Sequence, residues 1–352
     1  MWITSSLSTA HTPTRIALGN FDGIHLGHQT VIRPILPTAA PPPTLGLGPV
    51  ITPDSLAALQ GYSDRCPRLL NDCGFHSTVS LGTPPLAGPI PSVLTFYPHP
   101  REFFSDQPRP WLTPLEEKAA FLKQMGVRQL ILLPFNTELA NLSPTAFVQA
   151  ILLDRLQARH ISVGADFRFG HQRQGNVALL QQLAEQRGVP VTVVDLATAA
   201  GDRISSSRIR QALCAGEPEP VQQLMGRPYR LLGRVVKGQQ LGRQIGFPTA
   251  NLQVPPEKFL PRTGVYSVRV YGIPHHPPET GWPGVMNLGV RPTVNGQRQS
   301  IEVHLLNWQG NLYGQTLTVA LQGFLRPEQR FDSLDALKAQ IQADCQTAQA
   351  WL

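Results

Sequence analysis

Near residue 228 the sequence changes period, and that change restricts the possible folds more than any other feature. Upstream, short apolar runs read as strands: Ile16–Leu18, the SVLTFYPHP run from Ser92, Val127–Phe135, then ISVGADF and PVTVVDL. Helical stretches separate them, at about Leu115–Met125, from Ser143 through Gln157, at NVALLQQLAEQRG and from Ile204 to Leu213. Strands alternating with helices predict an α/β fold with a parallel sheet covered on both faces. Downstream, YRLLGRVVKG, GVYSVRVYG, WPGVMNLGV, QSIEVHLLNW and TLTVALQGFLR are short strands with turns but no helices between them. They predict an antiparallel β-barrel. A terminal helix follows, capped by Asp332 or Ser333, with a stripe of Leu334, Leu337, Ile341 and Cys345 meant for the barrel. The predicted domains are residues 1–215 and 228–352, joined by a helical linker at 216–227.

A length of 352 residues suits two domains at roughly 100–200 residues each. Residues 37–91 interrupt the first: a dozen of the chain's 34 prolines fall between 34 and 91. Such density argues for loop or polyproline segments, with a short helix at Asp54–Gln60 at most, and reads as a tolerated surface insertion. Cys66, Cys73, Cys214 and Cys345 form no C-x-x-C pair, so neither a disulfide framework nor zinc is expected, and a cytoplasmic setting is. No run approaches the roughly 20 apolar residues of a membrane span, and the opening MWITSSLSTAHTPTR lacks the pattern of a secretory signal. The net charge of +7 is spread without a basic run, which suits small phosphorylated ligands and predicts no nucleic-acid partner.

Chemistry concentrates first in GNFDGIHLGH, Gly19 to His28, where the Ile16–Leu18 strand turns into a helix. Gly19, Gly23 and Gly27 permit a tight turn and close backbone approach. His25 and His28, three apart, are expected side by side on the first helical turn. A strand, a glycine turn and a helix N-terminus make an anion site. Two imidazoles beside it point to a phosphate whose charge grows during reaction.

This pattern resembles the H-x-G-H signature of the nucleotidyltransferase superfamily, and the whole stretch is similar to the form in the bifunctional riboflavin kinase/FAD synthetase family. SVLTFYPHP resembles that family's T-F-x-P-H-P element, and VGADFRFGHQRQGN (Val163 to Asn176) its flavin- and nucleotide-binding strand–loop. ISSSRIR resembles I-S-S-T-x-I-R, with Ser207 keeping the hydroxyl of the usual threonine. The resemblance implies a Rossmann-like nucleotidyltransferase domain in which His25 and His28 are catalytic. It implies nucleotide contacts from Gly19, Phe21, Asp22, Gly23, Gly27, Ser205, Ser206, Ser207, Arg208 and Arg210. Pro98, His99, Pro100, Asp166, Phe167 and Arg168 are implied at the flavin.

A second constellation lies in GRVVKGQQLGRQIGFPTANL, Gly233 to Leu252, which is not a Walker loop. Gly238, Gly242 and Gly246 provide backbone N–H groups that can wrap phosphates. Thr249 and Asn251 offer neutral oxygens at i and i+2, suited to magnesium. In IEVHLLNW, alternation puts Glu302 and His304 on one face and Ile301, Val303 and Leu305 on the other. The stretch resembles the riboflavin kinase signature, above all Pro248–Asn251, which implies Glu302 as general base and Thr249 and Asn251 as metal ligands. NLGVRPT resembles a family element near the flavin and implies Asn287 and Arg291 there. Asn307-Trp308 departs from the acidic–aromatic pair expected, at the cost of a local salt bridge.

The resemblance implies two ATP-dependent reactions, riboflavin to FMN on the barrel and FMN to FAD in the first domain, with Mg2+ required and riboflavin, FMN and ATP as partners. Two alternatives remain at this point. One is a nucleotidyltransferase for another substrate, such as a pantetheine or nicotinate mononucleotide. The other is a flavin-binding regulator with an inactive adenylyltransferase half.

Overall fold

The computed structural model describes residues 1–37, 78–80, 88–105, 108–199, 201–238, 240–277, 279–293 and 296–352. Its contacts divide these into two units, the first closing at Ser205 and the second running from Ser206 to Leu352. The expected helix at Asp54–Gln60 lies outside the described residues.

The first unit is a seven-stranded sheet in the order β3-β1-β5-β4-β2-β6-β7. Its elements begin with β1 (Trp2–Thr4), β2 (Thr14–Leu18), α1 (Leu26–Ile32), β3 (Thr78–Ser80) and β4 (Ile90–Tyr97). Next come α2 (Pro100–Ser105), α3 (Leu115–Gln124), β5 (Gln129–Pro134), α4 (Thr137–Ala140) and α5 (Pro144–Ala146). The unit is completed by β6 (Ala158–Gly164), α6 (Val177–Glu185), β7 (Val191–Val194) and a two-residue hairpin, β8 (Thr198–Ala199) with β9 (Asp202–Arg203). Alternation along the strands fills two cores. Ile16, Leu18, Ile131 and Leu133 enter one, while Ala17, Leu130 and Leu132 enter the other.

Two expectations are corrected, although the sheet is parallel as predicted apart from its edge, where β3 pairs antiparallel with β1. The segment given to the insertion therefore contributes a strand, and β4 also begins inside its limits, at Ile90. The helix expected through Gln157 continues from α5 as a π-helical Phe147–Arg155 and stops two residues early, with Gln157 at φ +46°. The β8–β9 hairpin had no counterpart in the sequence reading.

The second unit opens with α7 (Ser206–Ala215) and α8 (Pro218–Met225), the latter ended by Gly226 in the left-handed conformation. The strands are β10 (Arg230–Val236), β11 (Ala250–Gln253), β12 (Gly264–Tyr271), β13 (Trp282–Thr293), β14 (Gly296–Leu305) and β15 (Thr316–Arg326). They close a barrel in the order β10-β11-β14-β13-β12-β15. Short α9 (Leu241–Gln244) sits between β10 and β11, and α10 (Leu334–Trp351) ends the chain. Ser333 caps α10 by accepting from the Ala336 N–H. Its contact with the barrel is made by Cys345 and Ala348, with Ile341 and Leu352 beside them. Leu334 is 63% exposed, so the expected stripe fails at its first position, where the helix begins beyond the barrel wall. The Arg326 guanidinium, bonded to both Asp344 carboxylate oxygens at 2.8–3.1 Å, fastens α10 to β15.

Candidate active sites

The first site forms where β2 ends, at the carboxyl edge of the sheet, as open α/β sheets require. Between Leu18 and α1 the backbone takes positive φ at Phe21 (48°), Gly23 (88°) and Ile24 (38°). Two of these are not glycine, and each such residue costs about 1–3 kcal/mol and persists only where its surroundings enforce it. The enforcement is visible. Asp22 Oδ1 accepts from the Leu112 and Thr113 N–H groups at 2.9 and 3.3 Å, and the Gly23 N–H donates to Thr113 Oγ1 at 2.9 Å. The Gln29 amide donates to the Ile24 carbonyl at 3.1 Å.

Asp22, 5% exposed, and Phe21, 1% exposed, are thus part of the turn's own framework as well as of the implied nucleotide site. Glycine freedom is needed only at Gly23. Gly19 and Gly27 are small for another reason: a Cβ on either would press on the Phe21 or His25 ring at 3.1–3.4 Å.

His25 is the N-cap of α1 rather than a first-turn residue, and its Nδ1 accepts from the His28 N–H at 3.3 Å. An accepting Nδ1 carries no proton, so the neutral ring keeps its N–H on Nε2. The two imidazoles stack at 3.6 Å between centroids, and the Phe21 ring meets His28 edge-on at 5.4 Å. The pair lies together as its spacing predicted, but by stacking across a cap rather than along a helical turn.

The flavin residues implied upstream separate in their roles. His99 is 8% exposed and takes the Arg101 N–H on its Nδ1 at 3.0 Å. Burial, then the Arg109 charge, lowers its pKa to about 4, so it stays neutral and caps α2 between half-buried Pro98 and Pro100. Asp166, exposed after β6, pairs with Arg203 of β9 at 2.5 Å. Phe167 stacks on Phe169 at 5.6 Å, and Arg168 is exposed. Ser205 closes the first unit, while Ser206, Ser207, Arg208 and Arg210 belong to α7 of the second. There Arg210 lies over the Phe259 ring at 5.5 Å.

Sequence reasoning missed Arg203 and Lys118. Lys118, in the helix expected at about Leu115–Met125, is 3% exposed and donates to the Asn20 carbonyl at 3.1 Å.

The second site gathers on one register row of the barrel. Glu302 of β14 stands opposite Asn251 of β11 on one side and Asn287 of β13 on the other. Thr249 Oγ1 donates to Glu302 Oε2 at 3.2 Å, so the hydroxyl's lone pairs stay available to a cation. Ile301, Val303 and Leu305 are buried on the opposite face, as alternation predicted. His304 Nδ1 bonds the Pro248 carbonyl at 2.8 Å and pins the loop to β14.

The glycine lead-in is shaped to these side chains. A Cβ on Gly238 would lie 2.3–2.6 Å from the Asn251 amide, and one on Gly242 2.3 Å from the Phe247 carbonyl. Gly246 turns the chain at φ +94°. A Cβ on Gly289 would meet a Glu328 carboxylate oxygen at 2.4 Å and the Asn287 amide at 3.5 Å, a second carboxylate the sequence reading did not single out. Arg291 lies in β13 opposite Arg298, its side chain outside what the structure describes.

Comparison with known proteins decides the family. A family model described as riboflavin kinase matches residues 225–352, and one described as FAD synthetase matches 7–43 and 88–208. The gap between those two segments falls within the insertion recognised at 37–91. A bifunctional riboflavin kinase/FMN adenylyltransferase of Pseudomonas fluorescens is 38% identical over 98% of this chain and 95% of its own. This chain belongs to that family. The enzyme of the same name from Escherichia coli K12 is 37% identical over 95% of this chain and 91% of its own. A crystal structure described as a macrolide-efflux protein from Streptococcus pneumoniae aligns with a TM-score of 0.75 at 25% identity, over 99% of both chains. Among the described residues no helix is long and apolar enough to cross a membrane.

Proposed function

We propose that the chain converts riboflavin to FMN and FMN to FAD in two consecutive ATP-dependent reactions. On the barrel, the terminal ribityl hydroxyl attacks the γ-phosphorus of ATP, ADP leaves, and Glu302 takes the hydroxyl proton. Phosphoryl transfer depends on positioning and charge neutralisation rather than covalent help, which matches a site with a carboxylate and no other nucleophile in its row. Thr249 and Asn251 fit magnesium by donor type, as hard oxygens without sulfur or imidazole. Among the described residues no three His, Cys, Asp or Glu converge, so water and phosphate would complete the shell. Bound there, the ion would neutralise charge between the transferring phosphates.

In the first unit a phosphate oxygen of FMN attacks the α-phosphorus of ATP and pyrophosphate leaves. The His25 Nε2–H and the stacked His28 offer donors to the crowded phosphorus. The observation that carries this reading is the assembly of His25 with His28 in one unit and Thr249, Asn251 and Glu302 in the other. An intact histidine pair also disfavours an inactive adenylyltransferase half. We place the enzyme in a reducing cytoplasm, where Cys214 and Cys345 stay as the free thiols seen here.

The test is direct. Incubation with riboflavin, ATP and magnesium, with flavins separated by chromatography, should show FMN first and FAD afterwards, and chelation of magnesium should stop both. Accumulation of neither flavin would refute the proposal.

A further inference from the structure

The βα turn that carries the two histidines is strained at Phe21 and Ile24, so its shape depends on what holds it. At Asn20 the holding bonds come from side chains: its carbonyl accepts from Thr95 Oγ1 at 3.0 Å and from the Lys118 ammonium at 3.1 Å. The same ammonium stands 4.7 Å from the centroid of the Trp111 ring. Asn20 Oδ1 is buried and accepts no hydrogen bond from the described residues, so this residue keeps its place through its carbonyl.

We propose that Lys118 is a positioning residue for adenylylation, its charge holding the Asn20 carbonyl and through it the turn that presents His25 and His28. The inference rests on the adenylylation reading above. A charged donor makes a shorter and stronger bond than a neutral amine, and only the cation is attracted to the Trp111 face. Burial lowers the Lys118 pKa to about 8, against the opposing pull of the Asp22 carboxylate. Nearby stand His99, neutral above about pH 4, and the Arg109 and Arg101 guanidinium groups that act on it. Lys118 is therefore the group that changes charge on the alkaline side. Its folded pKa is lowered, so the cation is present below about pH 8 and lost above it.

The experiment measures FAD formation from FMN by the full-length protein between about pH 7 and about pH 9.5, spanning the buried lysine's titration. The wild type should decline through the upper half of that range. Lys118→Met should lower kcat roughly tenfold or more at the acid end, with little change in KM, and show no decline of its own. Lys118→Arg, charged throughout, should keep part of the activity and also lose the decline. Riboflavin phosphorylation by the same samples should be unchanged in all three. Wild-type kcat in Lys118→Met, or the same alkaline decline in all three proteins, overturns the inference. If the methionine variant fails to fold in its first unit, the arginine variant alone decides by the presence or absence of the decline. A wild type that makes no FAD would instead overturn the adenylylation reading itself.

Discussion

Replacing His28 with alanine is expected to lower FAD formation from FMN by at least about a hundredfold, while FMN formation from riboflavin stays near normal. Removing one preorganised donor from a developing phosphate charge typically costs 10²–10³ in kcat, about 2.7–4 kcal/mol. The loss should be largest in kcat, because the imidazole acts on charge that grows toward the transition state. Alanine is the best helix former, and the substituted position lies inside α1, so the helix should persist. What disappears is the ring stacked on His25 at 3.6 Å. Initial rates of both reactions on one preparation provide the check, and equal loss of the two would refute the division of labour.

The reverse is expected of Glu302→Gln: FMN formation should fall by roughly 10²–10⁴ while FAD formation from supplied FMN is retained. Glutamine matches the size of glutamate and can still accept the Thr249 hydroxyl, which now bonds Glu302 at 3.2 Å. The row with Asn251 and Asn287 should therefore survive. Only the capacity to take a proton, and the negative charge, are removed. A glutamine variant that still phosphorylates riboflavin at a near-normal rate would strip Glu302 of its assigned role.

Much of this architecture could be read from local pattern because local pattern determined it. The runs that became β4 and β5 are apolar on both faces, and each face is buried by a separate layer. The strand alternation at Ile301–Leu305 likewise located Glu302 without any tertiary information. What escaped has a different physical origin. Strands β1 and β3 are three residues each, β3 held by pairing with β1 and β1 also by pairing with β5, which no window of sequence reveals.

Asp22 has the local character of a ligand-binding carboxylate, yet its partners Leu112 and Thr113 lie 90 and 91 residues away. Lys118 sits in EEKAAFLK, whose charges suggest a solvated face, but tertiary packing buries it. The histidine spacing was legible and its geometry was not. A cap displaces His25 from the helix and brings the rings together by stacking instead of by helical periodicity.

The central claim is that two independent ATP-using centres share this polypeptide, and mixing the two single variants tests it most directly. Given riboflavin, ATP and magnesium, neither His28→Ala nor Glu302→Gln alone should form appreciable FAD. Combined in one tube they should, because FMN released by the first becomes substrate for the second. A mixture that accumulates FMN yet forms no FAD, although the Glu302→Gln protein is present, would contradict two separable centres.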